Sequence, residues 1–88
     1  MLRIQRTLDG DETVLKVIGR MDAENVAELE ALFASEEKGR RIVLDLKDLT
    51  LVDRDAVSFL GRCESDSIGL KNCPAYVREW ILRERRED

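Results

Sequence analysis

IVLDLKDLTLVDRDAVSFL, residues 42–60, is the stretch whose reading decides the fold. Ile42, Leu44 and Leu46 alternate with Val43, Asp45 and Lys47, the period of a strand with one apolar face. A strand covered by helices on both faces would be apolar throughout, so the sheet is expected to have one helix-covered face and one solvated face. The alternation stops after Leu46, and a loop follows within a run that carries Asp45, Asp48, Asp53 and Asp55. From Ala56 the spacing turns helical: Ala56, Phe59, Leu60 and Cys63 fall on one face, Ser58, Arg62 and Ser65 on the other. A strand leading through an acidic loop into a helix sets backbone N–H groups and side chains at a sheet edge, the usual place of recognition in α/β proteins.

Working upstream, Leu2 and Ile4 alternate with Arg3 and Gln5, Asp9-Gly10 suits a tight turn, and 13–18 is rich in β-branched residues, so the chain opens on a β-hairpin. Arg6 interrupts the apolar set of its first strand. Gly19, Arg20, Met21 and Asp22 end the second strand. Asp22 is placed to cap a helix over 23–36 whose core face is Val26, Leu29, Leu32 and Phe33, and Lys38-Gly39 follows as its stop. Downstream, Asp53 or Asp55 can cap the second helix. A short strand is expected at 68–71, and Pro74 suits the first position of a third helix that buries Val77, Trp80 and Ile81. Residues 83–88 read as a frayed polar tail. The order β-β-α-β-α-β-α predicts a small two-layer α/β sandwich with a mixed four-stranded sheet, antiparallel in the hairpin and parallel across each helix, and with its helices mainly on one face.

Eighty-eight residues suit one domain over 1–88, and 43% hydrophobic content lets it fold without metal or disulfide staples. The net charge of -4 argues against nucleic acid, which calls for a basic excess. Cys63 and Cys73 form no CxxC, and without histidine no zinc set can be completed, so two free thiols in a reducing compartment are expected. No apolar run reaches signal-peptide or membrane-span length, which leads to a cytoplasmic reading without membrane insertion. Neither a GxSxG, a glycine-rich phosphate loop nor a Cys/His pair is present, so no enzyme, cofactor or metal is expected. The four aspartates raise a metal-dependent phosphoryl-acceptor reading. The paired acids that it needs after the first strand are missing, and Asp45 alternates outward, so caps and turn formers account better for these residues.

Ile42-Val43-Leu44-Asp45-Leu46, the turn Val52-Asp53-Arg54-Asp55-Ala56-Val57 and the upstream Gly19-Arg20-Met21-Asp22 together resemble the STAS domain family over about residues 2–72. The family patterns are a hydrophobic strand followed by Asp-Leu, a hydrophobic-Asp-Ser-Ser-Gly-Leu turn, and a G-x-hydrophobic-Asp signature before helix one. The resemblance implies a non-enzymatic protein-binding module. In the anti-sigma factor antagonist branch the domain binds a serine kinase that holds a sigma factor, and phosphorylation of the first serine of the turn abolishes binding. A phosphate there adds roughly -1.5 to -2 charge at a helix start. Carried over, that serine falls at Arg54, the second at Asp55 and the glycine at Ala56. None matches, so the serine switch is absent at that position, and Asp55 next to Arg54 is a poor phosphate mimic and a simple candidate for the helix cap. Thr50 and Ser58 are nearby hydroxyls outside the family position.

The expected partner surface is therefore Gly19, Arg20, Met21 and Asp22 together with Thr50, Leu51, Val52, Asp53, Arg54, Asp55, Ala56 and Val57. Two kinds of protein partner follow from the resemblance: an anti-sigma kinase, or the ATPase of a phospholipid-transport ABC complex, which small STAS proteins serve as accessory cytoplasmic subunits. The unpaired edge of the first strand, with Val14 and Val43 on the solvated face, also offers a surface for a homodimer. Trp80 either covers core or anchors a partner.

Overall fold

The computed structural model describes residues 2–36 and 38–86. Its elements are β1 (Leu2–Asp9), β2 (Glu12–Met21), α1 (Ala23–Ser35), β3 (Arg41–Asp45), β4 (Leu49–Val52), α2 (Arg54–Ser65), β5 (Gly69–Lys71) and α3 (Ala75–Arg86). All four expected strands are present. A fifth, β4, lies where the sequence suggested loop.

The hairpin turns on Gly10 and Asp11, with Asp9 paired to Glu12. Gly10 takes φ +62° while Asp11 keeps a negative φ, the pattern of a type II′ turn, whose twist matches the flanking strands. β1 pairs antiparallel with β2 along its whole length. The other edge of β2 is shared: residues 12–16 pair in parallel with β3, and 19–21 pair in parallel with β4. A register shift between Gly19 and Arg20 separates the two halves, and Gly19 takes φ +101° there, a backbone state that a Cβ would strain. β3 pairs in parallel with β5 at the far side.

The helices pack on one face over a core of Leu15, Val17, Met21, Leu29, Leu44, Leu46, Leu60, Val57, Val77 and Ile81, all essentially buried. Full burial of such a Leu, Ile or Val is worth about 1.5–3 kcal/mol. Leu44 and Leu46 point inward as their alternation requires, whereas Val43, on the opposite face, is also buried, its Cγ2 so close over Gly69 that a Cβ there would lie 3.3 Å from it. Phe33 of α1 stacks on Phe59 of α2 with centroids 5.8 Å apart. Val26, Leu32, Phe33 and Trp80 are partly rather than fully buried, and Val57, outside the expected face of α2, is core.

Arg6, which broke the apolar set, has a charged partner on the helix side. Its Nε–H donates to Glu36 Oε1 at 2.6 Å; the buried Thr13 hydroxyl donates to Glu36 Oε2 at 3.0 Å and accepts from Arg40 Nε–H at 3.0 Å. The third helix also corrects the reading of the tail. Residues 83–86 belong to α3, because Glu84 accepts from Arg54 and Arg85 reaches Glu64, which also accepts from Arg78 at 2.6 Å. Residues 87 and 88 lie outside the described residues.

Candidate functional site

The helices α1 and α2 start side by side, and Asp53 connects them. Its extended backbone makes it the N-cap of α2, with Oδ1 accepting from Ala56 N–H at 2.9 Å. Its other oxygen, Oδ2, accepts from Ala23 N–H at 3.3 Å, in the first turn of α1. Asp53 N–H donates to Met21 C=O, fixing the turn to the end of β2. α1 has its own cap: Asp22 accepts from Glu24 N–H, and the Asn25 side chain accepts from Asp22 N–H, a reciprocal capping box. The helix-start N–H groups of Ala23 and Ala56 that an anion would seek are thus taken by carboxylates of the chain itself.

These contacts revise the expected roles. Asp55 is not the cap; α2 begins at Arg54, two residues before the apolar spacing starts, and Asp55 lies exposed in its first turn. Of the expected partner surface, Met21, Val52, Ala56 and Val57 are buried and serve the core. Arg20, Thr50, Leu51, Arg54 and Asp55 are exposed, and Gly19, Asp22 and Asp53 are partly so. Leu51 is the outstanding apolar group among them, 57% exposed. Arg20 approaches Asp22 at 3.7 Å, and Arg54 Nε–H donates to Glu84 at 3.2 Å.

α3 adds Tyr76 and Glu84, which the sequence reading missed, beside Trp80, which it offered as core cover or partner anchor. Tyr76 O–H donates to Thr50 C=O at 3.1 Å, and Trp80, one turn on, lines a groove of about 390 Å³ with Arg54, Arg83 and Glu84. Tyr76, Trp80 and Glu84 recur every four residues, a second stripe beside the core stripe of Val77 and Ile81. That spacing was the signal available in the sequence. A second groove, about 650 Å³, runs along α2 past Ser58, Gly61 and Arg62 to Arg85.

The aspartates of the acidic run diverge. Asp45 Oδ1 accepts from Lys47 N–H and from the Asn72 amide, and Asp48 pairs with Lys16 at 3.0 Å. Burial pushes the Asp45 carboxyl up, but those two hydrogen bonds and the charges of Lys71 and Lys16 outweigh it and hold the group below its ordinary value. Among the described residues no three His, Cys, Asp or Glu side chains gather as a metal site would require. Cys63 is buried and Cys73 partly buried, both free, and burial pushes the Cys63 thiol up to about 12. No helix among the described residues is long and apolar enough to cross a membrane.

The family model described as "Mlab, STAS domain" matches residues 4–83. The chain belongs to the STAS family. Solved STAS structures share the fold at low identity. The anti-sigma factor antagonist SpoIIAA in its unphosphorylated form aligns over 93% of this chain and 82% of its own, with TM-score 0.62 and 17% identity. The STAS-domain antisigma-factor antagonist from Rhodobacter sphaeroides aligns over 81% of this chain and 86% of its own, with TM-score 0.53 and 17% identity. A structure described as Mglu aligns over 81% of this chain with TM-score 0.64 and 17% identity, but this chain spans only 19% of it. No curated protein matches the sequence. As a member of the STAS family the chain is a regulatory protein-interaction module.

Proposed function

We propose that this STAS domain is a non-enzymatic docking module whose partner seats on the turn between β4 and α2, contacting Leu51, Arg54 and Asp55 with Tyr76 and Trp80 beside them. The observation that carries the reading is Leu51. A large aliphatic side chain 57% exposed stands next to a turn that the Asp53 carboxylate fastens to two helices. A rigid turn with an apolar tip and a rim of Arg54, Asp55 and Glu84 suits a protein surface, because little conformational freedom is lost on binding and the charges fix orientation. With Arg54 in the place of the family serine, docking has no serine phospho-switch at that position.

Two partners fit, an anti-sigma serine kinase in transcription regulation and the ATPase of a phospholipid-transport ABC complex, each implying a bacterial cytoplasm. Co-expression with the ATPase and, separately, with the kinase from the same genome tests both. Leu51→Asp and the double variant Arg54→Ala/Asp55→Ala are expected to lose co-purification while keeping the circular dichroism and melting of the parent. Undiminished co-purification of both variants overturns the proposed surface, and whichever of the two proteins is captured decides between the partners.

A further inference from the structure

Among the described residues β1 is an edge strand of eight residues whose one strand neighbour is β2. Proteins blunt such edges with proline, bulges, covering segments or charged side chains, and of these β1 carries charges, at Arg3, Arg6 and Asp9. β1 contains no proline, its register with β2 is unbroken from Leu2 to Asp9, and six of its eight residues are exposed. Leu8, on the helix side opposite the buried Thr13, is 57% exposed.

We infer that β1 is a self-pairing edge, joining antiparallel to β1 of a second copy about a two-fold axis at Gln5, so that the two sheets run on as one. The strand's own order selects this register. A two-fold axis normal to a continuous sheet keeps every residue on its own face, so residues that meet must both be even or both be odd in number. Centring on Arg6 sets two guanidinium groups directly opposite each other, a destabilising pair. Centring on Ile4 shortens the ladder to residues 2–6 and leaves Leu8 bare. Centring on Gln5 gives a ladder over 2–8 in which Leu8 meets Leu2 of the second copy at both ends and Arg3 meets Thr7. Arg3 then stands diagonal to Asp9 of the second copy on the open face, within reach of a long side chain. No like charges are directly opposite in this register. β2 lies between this edge and β4, so the docking turn stays clear and each proposal can fail alone.

Sedimentation velocity of the intact chain over a wide concentration range should show a monomer-dimer equilibrium, weakened about tenfold or more by Leu8→Glu, which sets a charge in the apolar end pair. Leu8 is exposed, so the variant should keep the parent's circular dichroism. Register is read by oxidative cross-linking, with wild type as control for Cys73. Gln5→Cys should form a covalent dimer readily, and Arg6→Cys should not. A wild type that stays monomeric at every concentration overturns the inference. So does a dimer that is indifferent to Leu8→Glu and not cross-linked through Gln5→Cys.

Discussion

Ala23 and Asp53 are thirty positions apart, and a 3.3 Å hydrogen bond from the Ala23 N–H to the Asp53 carboxylate joins the start of α1 to the cap of α2. One side chain thereby sets the relation between two helices. Asp53→Ala removes both bonds and should cost about 1–2 kcal/mol, seen as a fall in Tm of roughly 4–8 °C per kcal/mol in a domain of this size. Asp53→Asn separates the two effects: an asparagine carbonyl still caps α2 at Ala56, while its NH₂ faces the Ala23 N–H, donor against donor. Urea denaturation should place this variant between the parent and Asp53→Ala. Equal stability of all three would show that the bridge contributes nothing.

Glu36 makes stability depend on acid. Its hydrogen bond from Arg6 lowers it most; burial opposes this, and the Thr13 hydroxyl with the charges of Arg6 and Arg40 adds to the lowering, so the carboxyl is held below its ordinary 4.5. A depressed folded value means that the unfolded chain takes up the proton first. The contribution is complete above 4.5 and is lost as pH falls through the folded value. Urea midpoints measured between about pH 3 and 6 should fall on the acid side, and Glu36→Gln should flatten that fall in part. Asp45, also held below its ordinary value, keeps the remainder. An acid limb as steep in Glu36→Gln as in the parent would remove Glu36 from the account.

The two thiols should separate by reactivity. Cys63 is 3% exposed and its thiol is pushed up to about 12 by burial, with Asp66 adding to the rise, so almost no thiolate is present near neutral pH. Cys73 is less buried and raised less far. Iodoacetamide on the native protein should modify Cys73 slowly and leave Cys63 intact, and both should react in denaturant. Native labelling of Cys63 at the rate of Cys73 would contradict the packing of α2.

Gly19→Ala tests the shift between the two halves of β2. At φ +101° a Cβ is strained, and a penalty of roughly 1–3 kcal/mol is expected. The loss should reach the candidate site, since Gly19 N–H donates to Asp48 C=O just ahead of β4. An unchanged melting curve would mean that the backbone relaxes there without cost.

Much of this could be read from residue types alone. Period-two alternation at Ile42, Leu44 and Leu46 and the period of Ala56, Phe59, Leu60 and Cys63 come from burial on one face; the helix face stands, whereas in the strand Val43 on the opposite face is buried as well and Ile42 only partly so. β4 escaped because its four residues run buried, exposed, exposed, buried, which matches no strand period, and because it pairs with a strand far back in the chain. The choice between Asp53 and Asp55 turned on where α2 begins. Its first two residues, Arg54 and Asp55, are polar and leave no apolar mark. The charged end of α3 resembled a solvated tail since the groups that hold it, Arg54 and Glu64, belong to α2. Periodicity records what faces the core, and pairing between distant charges leaves no such record.

The shared edge of β2 also bears on how the chain is made. When synthesis has delivered only the hairpin and α1, β2 is paired on one side and bare on the other, its inward residues Leu15, Val17 and Met21 still waiting for β3, β4 and α2 to cover them. Until the parallel partners are made, the longest strand has an open edge, and charges such as Lys16 and Arg20 along it disfavour its pairing with another chain.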